Sequence, residues 1–96
     1  MTKALEKRLP PLYSQETVED PIVVAHFFNP SGQGDWYIIE GNKEEDDYIL
    51  YGLCHIFEYE FGYVSLNDLK SVKGPFGLGI ERDMYWTERP VSEVRK

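Results

Sequence analysis

The sequence predicts an α+β domain in which an antiparallel sheet of four or five strands carries one short helix and an N-terminal arm. Three runs rich in β-branched and aromatic residues follow one another across short polar connections, as in an antiparallel meander. A short helical pattern with a capping residue comes after them. With 96 residues, of which 42% are apolar and 15% aromatic, the chain is large enough to bury one modest core.

The N-terminal arm is predicted to cover residues 1–21 and to pack on the body, and residues 22–96 are predicted to form the single domain. A helical turn fits residues 4–9, and Pro10-Pro11 ends it because proline cannot continue the hydrogen-bonded ladder. Leu12 and Tyr13 are expected to anchor the arm.

The three apolar runs define the expected strands. Residues 22–28 (IVVAHFF) favour a central strand or one buried on both faces. Residues 36–40 form the next strand, a polar loop is expected at 41–47, and residues 48–59 form a long third strand. Gly52, inside the third run, is expected to mark a bulge or a close approach of another backbone.

The second half of the chain contains the predicted helix and a last strand. Ser65 is a good N-cap for a helix of about two turns that ends at Gly74-Pro75. Residues 80–87 alternate as a final strand, one face of which would hold Ile80, Arg82, Met84 and Trp86. A terminal helical turn capped at Ser92 is expected to follow.

The charge balance excludes one class of partner. Seventeen acidic residues stand against ten basic ones, which gives a net charge of −7. Binding to nucleic acid depends on clustered Lys and Arg, so no direct nucleic-acid binding is expected. The acidic surface would attract basic protein surfaces, or it serves solubility alone, and both interpretations stay open.

The sequence predicts a protein of the cytoplasm of a cell, or of a host cell, with no membrane partner. The N-terminal residues lack the apolar region of a signal peptide, and no apolar run approaches the ~20 residues that span a bilayer. Cys54 is the single cysteine, so no internal disulfide forms.

The glycine-rich segment 74–79 (GPFGLG) is the first candidate site. It follows a predicted helix, lacks the ending of a Walker phosphate loop and does not match GxGxxG. It is either a tight connection whose glycines adopt positive φ, or a backbone surface at Gly77 and Gly79 that receives a ligand or partner.

Three charged residues, Glu81, Arg82 and Asp83, follow that segment directly. One interpretation is a partly buried Arg82 that pairs with a carboxylate as part of the packing. The other is an Arg fork presented to a carboxylate or phosphate of a ligand.

The histidines and the cysteine offer little catalytic pattern. His26 and His55 lie in apolar runs and are expected to be core histidines. Cys54 and His55 are adjacent and point to opposite faces of a strand, so they are not a nucleophile and its base. A Cys54 thiolate that meets His26 across strands stays as the least favoured alternative. No metal-ligand spacing is present, and no cofactor is expected.

An acidic run and an excess of aromatic residues complete the candidates. Glu44, Glu45, Asp46 and Asp47 form either a solvated hairpin tip or an acidic patch that imitates phosphates. Seven Tyr and two Trp exceed what this core needs, so some are expected at the surface, where such residues favour interfaces and ring stacking. Trp36 and Tyr51 are the aromatic residues predicted to bind a ligand or partner.

Several strings together resemble a family of small, uncharacterised bacterial proteins carried by phages, plasmids and conjugative elements. They are PPLYSQE at 10–16, DPIVVAHFF at 20–28, DWY at 35–37 and FGYVSLNDLKSVKGPFGLGIERDMYW at 61–86. The resemblance implies no catalytic residues. It implies an accessory domain of a mobile element that works inside a bacterial cell, and such proteins often act on host defences.

Three functions follow as hypotheses. The first is a non-enzymatic accessory protein that binds and modulates or inhibits a host protein, including a defence-system protein. The second is a small-molecule binder that sequesters a nucleotide-type signal through aromatic stacking and Arg82. The third is a small hydrolase that uses Cys54 or His26. A homodimer through an unpaired sheet edge is also consistent with the pattern.

Overall fold

The computed structural model describes residues 3–15, 17–30, 33–71 and 79–94. In chain order its elements are α1 (Lys3–Arg8), β1 (Ile22–Val23), β2 (Ala25–Phe28), β3 (Asp35–Glu44), β4 (Asp47–His55), β5 (Tyr59–Ser65), α2 (Leu66–Ser71), β6 (Glu81–Arg82), β7 (Arg89–Pro90) and α3 (Val91–Val94). Five strands form the central antiparallel sheet in the order β5-β4-β3-β2-β6, and β1 pairs with β7 in a small second sheet. The predicted antiparallel α+β class is confirmed.

The central sheet packs on both faces. Its first face, which carries Phe27 and Trp36, is covered by α1 and α2. The core on this face consists of Leu5, Leu9, Val24, Ala25, Phe27, Trp36, Ile38, Tyr48, Leu50, Leu66 and Leu69. Its second face carries His26, and a smaller core there joins Ile39 and Leu53 to Val23 of β1 and Val91 of α3.

The N-terminal segment contributes directly to the first core. Leu5 of α1 is fully buried, and Pro10 follows the helix as expected. The Pro10 carbonyl accepts the Gly41 N–H at 2.9 Å, and the Leu12 N–H donates to Asn42 Oδ1 at 3.1 Å. These bonds hold the segment along β3. Tyr13 is tied through its backbone while its side chain stays exposed.

The first apolar run is two strands where one was predicted. Residues 22 and 23 pair with Pro90 and Arg89 in the small sheet, whereas β2 pairs with β3 in the central sheet. Burial alternates along β2, so this strand is half covered on its second face. The chain changes sheets at Val24, and apolar content alone could not show that change.

The segment 41–47, predicted as a polar loop, is the end of a β-hairpin, and only its tip is a turn. β3 continues to Glu44, and Glu45 and Asp46 make the turn, with φ of 53° at Glu45. The register shifts between Ile38 and Glu40, which is a β-bulge. Polar residues fit this part of the hairpin because the side chains of Asn42 to Glu44 are exposed while their backbones pair with β4.

The prediction for Gly52 is confirmed. Gly52 pairs with Ile38 beside the bulge, and a Cβ atom there would lie 2.0 Å from the Tyr37 carbonyl oxygen. The backbones of β3 and β4 approach so closely at this point that only glycine fits.

The predicted third and last strands are both shorter than expected. β4 ends at His55, and Tyr59 already belongs to β5. Of the strand predicted over 80–87, only Glu81 and Arg82 form β6, because the Asp83 carboxylate and carbonyl accept the Tyr85 and Trp86 N–H groups in a turn.

The predicted helix cap at Ser65 is confirmed. The Ser65 hydroxyl accepts the Asp68 N–H at 3.2 Å, and α2 begins at the next residue. The predicted helix end at Gly74-Pro75 lies outside the described residues. In the part of the chain that the structure describes, no helix has the length and apolar character needed to cross a membrane.

Candidate functional site

The most developed polar site surrounds His26 on the second face of the central sheet. Its Nε2 atom lies 2.7 Å from Asp35 Oδ1, and its Nδ1 atom lies 3.1 Å from Asp83 Oδ2. The three side chains come from β2, from the start of β3 and from the residue after β6. One imidazole therefore connects three separate segments.

Strand pairing brings the two carboxylates to the ring. Asn29 and Gly34 close the β2–β3 hairpin through a 2.9 Å backbone bond, and Gly34 has a φ of 139° that favours glycine. The hairpin sets Asp35 opposite Phe28, so it is the diagonal neighbour of His26 on the same face. On the other side of β2, the Asp83 N–H donates to the His26 carbonyl at 2.8 Å.

Aromatic rings fix the orientation of the imidazole. The Tyr37 ring stacks on it at 4.6 Å with an interplanar angle of 6°, and Trp86 lies 5.4 Å away at a tilt. The Trp86 indole N–H donates to the Val23 carbonyl at 3.0 Å, and the Arg89 guanidinium lies over its ring at 4.4 Å. Burial, followed by the charge of Asp35, raises the pKa of Tyr37 to about 12, so its hydroxyl stays protonated.

The proton arrangement at His26 depends on its two neighbours. An ionised carboxylate only accepts hydrogen bonds, so both contacts are hydrogen bonds only when both ring nitrogens carry hydrogen. A neutral ring can donate to Asp35 or to Asp83, but not to both. The hydrogen bond from His26, reinforced by the Tyr85 N–H, lowers the pKa of the Asp83 carboxyl.

A cavity of about 650 Å³ opens beside these groups and is called the His26 cavity below. Its lining residues are His26, Phe28, Asn29, Gln33, Gly34, Asp35, His55, Ile56, Phe57 and Asp83. The His55 ring is held by stacking on Tyr59 at 3.9 Å. Phe57 is 86% exposed at the edge of the cavity. The cavity therefore combines an acidic wall, two imidazoles and an exposed aromatic rim.

The structure contradicts the proposed meeting of the Cys54 thiolate with His26 across strands. Cys54 pairs with Trp36 and packs on the first face, whereas His26 lies on the second. Burial, with a smaller effect from Glu60, raises the pKa of the Cys54 thiol, which opposes thiolate formation.

Nucleophilic catalysis and metal binding would each require particular side chains among the described residues around the cavity. The described residues that line it include no Ser, Thr or Cys nucleophile. Nowhere in the described part of the chain are three or more His, Cys, Asp or Glu side chains arranged to hold a metal ion.

Comparison with known protein families gives one match. The model of the family described as "Protein of unknown function (DUF2958)" matches residues 2–95. The chain belongs to the DUF2958 family. No curated protein and no solved structure showed a significant match.

The structure separates the site residues predicted for this DUF2958 chain. Asp83 lines the His26 cavity, whereas Glu81 is exposed and does not line it, although it pairs with the lining residue Phe28. Trp36 is buried in the core of the first face. Gly79 is half-buried, and Gly77 lies outside the described residues. Tyr51 lies on the second face, in contact with Tyr63 and Phe61.

Arg82 does not belong to the His26 cavity. It pairs across from Phe27 in β2, which places it on the first face of the sheet. There it borders an apolar hollow together with Ile80 and Met84, as the predicted alternation required. The fourth predicted member of that face, Trp86, lies on the second face, because the turn at Asp83 interrupts the alternation.

The acidic run of this DUF2958 chain divides into two parts. Glu44, Glu45 and Asp46 are exposed at the hairpin tip. Asp47 is half-buried, and its carboxylate accepts the Tyr48 N–H at 2.7 Å and the Asn67 N–H at 3.0 Å. It also accepts the Ser65 hydroxyl, and these bonds, with that of Ser65 first, lower the pKa of Asp47. Asp47 is thus part of the start of α2.

The sequence did not indicate that His26 binds two carboxylates, and Asp35 was not among the predicted site residues. A signal was available: the cluster NPSGQG predicts a hairpin, and pairing the strands across it puts residues 26 and 35 on one face. Asp83 was a predicted site residue, but no comparable signal placed it beside His26, because its position depends on a strand paired across more than 50 residues.

Proposed function

We propose that this protein is a non-enzymatic binding protein that docks on another protein through the His26 cavity and thereby modulates or inhibits it. The observation that carries the proposal is the exposure of Phe57, which stands at the edge of a cavity with an acidic wall. An aromatic side chain left in solvent beside a preformed concavity is typical of a binding hot spot.

The chemistry of the cavity supports a partner with a basic group. Asp35 and Asp83 both line it, and the chain as a whole carries a net charge of −7. A Lys or Arg side chain of the partner would meet these carboxylates, while Phe57 and the half-exposed Ile56 pack on the apolar surface around it. Complementary charge of this kind speeds association and selects the partner.

The resemblance to proteins of phages, plasmids and conjugative elements supports the remaining part of the proposal. In that setting the protein acts in the bacterial cytoplasm, and its partner is a host protein, with defence-system proteins as candidates. A second copy of the chain is an alternative partner, because β5 forms an edge of the described sheet.

A small-molecule binder is the second candidate, and the cavity volume favours it. About 650 Å³ lies within the range of small-molecule sites, and His55 and Phe57 offer rings for stacking. The two carboxylates oppose a phosphate group, and Arg82 lies on the other face of the sheet. A nucleotide-type ligand would therefore insert its base and keep its phosphates outside.

The test is capture from a bacterial host lysate followed by native mass spectrometry. We expect the wild-type protein to retain one host protein in a fixed ratio and Phe57→Ala to lose it. Met84→Ala is the matched control, since Met84 is 72% exposed but borders the hollow on the first face.

The same spectra separate the alternatives. Equal capture by wild type and Phe57→Ala, or no stoichiometric protein partner, contradicts the docking proposal. A small added mass that is retained by the native protein and released on boiling favours the second candidate. A doubled mass identifies the homodimer.

A further inference from the structure

A second cavity lies on the second face of the central sheet, where the arm crosses β3. It has a volume of about 310 Å³ and is called the tyrosine cavity below. Its lining residues are Tyr13, Gln15, Val18, Glu19, Pro21, Ile39, Glu40, Tyr51, Phe61 and Tyr63. None of them lines the His26 cavity, so the two sites are separate.

Four aromatic rings form one connected group in this cavity. The Tyr51 ring centroid lies 4.9 Å from that of Tyr63 and 6.1 Å from that of Phe61, and Tyr63 lies 6.2 Å from Tyr13. Tyr63 and Tyr13 are more than half exposed. These rings line the cavity and lie outside both hydrophobic cores.

A buried carboxylate lies under the rings. Glu40 is 3% exposed, and its two oxygens accept the Tyr13 N–H at 2.9 Å and the Gln15 N–H at 2.6 Å. No Lys, Arg or His of the described residues forms an ion pair with it. The Glu40 carboxylate is therefore hydrogen-bonded, but no basic side chain among the described residues pairs with it, which is a costly arrangement for a buried carboxylate.

The cavity is held in shape before any ligand enters. Tyr13 adopts a φ of 71°, and the Glu40 carboxylate bridges the N–H groups on both sides of this turn. A hydrogen bond between the Tyr13 and Tyr63 hydroxyls, together with burial and nearby charge, raises the pKa of Tyr63 to about 12. The Tyr63 hydroxyl therefore stays protonated at neutral pH.

We propose that the tyrosine cavity binds an alkylated ammonium group, such as a quaternary or methylated amine. Aromatic faces attract a cation through their quadrupole, and the attraction is larger when the cation is weakly hydrated. Methyl groups on nitrogen bring apolar surface to the rings, while the positive charge meets the field of Glu40. Glu19, which also lines the cavity, adds to that field and opposes an anion.

The test compares choline with 3,3-dimethylbutan-1-ol, which has the same shape and no charge. Each is titrated into the wild-type protein and followed by calorimetry and by NMR shifts of the tyrosine rings. We expect choline to bind in the millimolar range or tighter and the neutral alcohol to bind at least about tenfold more weakly. Equal affinity for both, or no binding of choline, overturns the proposal.

Variants assign the binding to this cavity. Tyr63→Leu removes one exposed ring and should weaken choline binding about fivefold to thirtyfold. Tyr63→Phe keeps the ring and loses only the hydroxyl, so its affinity should stay within about threefold of wild type. Unchanged binding in Tyr63→Leu contradicts the assignment.

The charge is tested by Glu40→Gln, with Glu60→Gln as its control. Glu60 of β5 pairs with Cys54 of β4 and lies on the first face, so Glu60→Gln changes the net charge by the same amount at a distance from the tyrosine cavity. We expect Glu40→Gln alone to lose the preference for choline over the neutral alcohol. A preference kept in Glu40→Gln, or lost equally in Glu60→Gln, contradicts the role of Glu40.

Discussion

The Nδ1 atom of His26 lies 3.1 Å from a carboxylate oxygen of Asp83, which is 57 residues further along the chain. The same two residues are also joined through their backbones, since the Asp83 N–H donates to the His26 carbonyl. A second carboxylate, from Asp35, contacts the other ring nitrogen. This relationship defines the wall of the proposed docking cavity and fixes where the chain turns after β6.

Acid stability should depend on Asp83. Its pKa in the folded protein is lower than the ordinary value of 3.8, so the unfolded chain binds more protons in this range. The resulting stability is complete above the unfolded pKa and is lost as pH falls through the folded pKa. We expect Asp83→Asn to flatten the decline in urea midpoint between about pH 4 and pH 2.

The comparison for Asp83→Asn is Asp46→Asn, which removes an exposed carboxylate at the hairpin tip. Its urea midpoints should follow the wild-type curve. An Asp83→Asn curve as steep as that of the wild type would show that the contact with His26 contributes nothing to acid stability.

The close approach of β3 and β4 should make Gly52 intolerant of any side chain. A Cβ atom there would lie 2.0 Å from the Tyr37 carbonyl oxygen and 2.9 Å from the Ile38 Cα atom, and neither backbone atom can move without separating the strands. We expect Gly52→Ala to reduce the free energy of unfolding by at least about 2 kcal/mol, measured by urea denaturation.

Gly62 provides a matched control for Gly52 because the two glycines pair directly across β4 and β5. A Cβ atom at Gly62 meets no other atom within 4 Å. Gly62→Ala should change stability by less than about 1 kcal/mol. Similar losses in both variants would mean that β-propensity, and not the close approach, governs this position.

The N-terminal helix should be essential to the core. Leu5 is fully buried against the first face of the sheet, so its truncation leaves a cavity that the surroundings fill only in part. We expect Leu5→Ala to cost about 2–5 kcal/mol in the free energy of unfolding. Lys7→Ala, on the exposed side of the same helix, should stay within about 0.5 kcal/mol of wild type. Equal effects of the two would contradict the burial of Leu5.

Asp47 should be a structural residue, unlike the rest of the acidic run. Its ionised carboxylate accepts hydrogen bonds from Ser65, Asn67 and Tyr48 where β4 meets the start of α2. Asp47→Asn loses the charge and part of the acceptor capacity, so we expect a lower melting temperature by circular dichroism. Glu44→Gln, at the exposed end of β3, should melt as the wild type does. A normal melting temperature for Asp47→Asn would contradict this role.

The sequence by itself determined the local features of this protein. Runs of β-branched and aromatic residues joined by short polar connections predicted the antiparallel sheet, Ser65 marked the start of α2, and Gly52 marked the close approach of two backbones. Strand runs and a helix cap depend on interactions between residues that are close in the sequence, and a glycine inside an apolar run marks a position where a side chain does not fit.

Only the tertiary structure decided which candidate residues lie together. The bulge at Ile39 lets two consecutive residues of β3 serve the second face, so Ile39 joins the small core and Glu40 enters the tyrosine cavity. The pairing of β6 with β2 placed Asp83 beside His26 and sent Arg82 to the opposite face. A shift of one residue in a strand exchanges its faces, and the register that sets the shift comes from distant partners. That is why, of the site residues predicted from the sequence, only Asp83 lines the His26 cavity and only Tyr51 lines the tyrosine cavity.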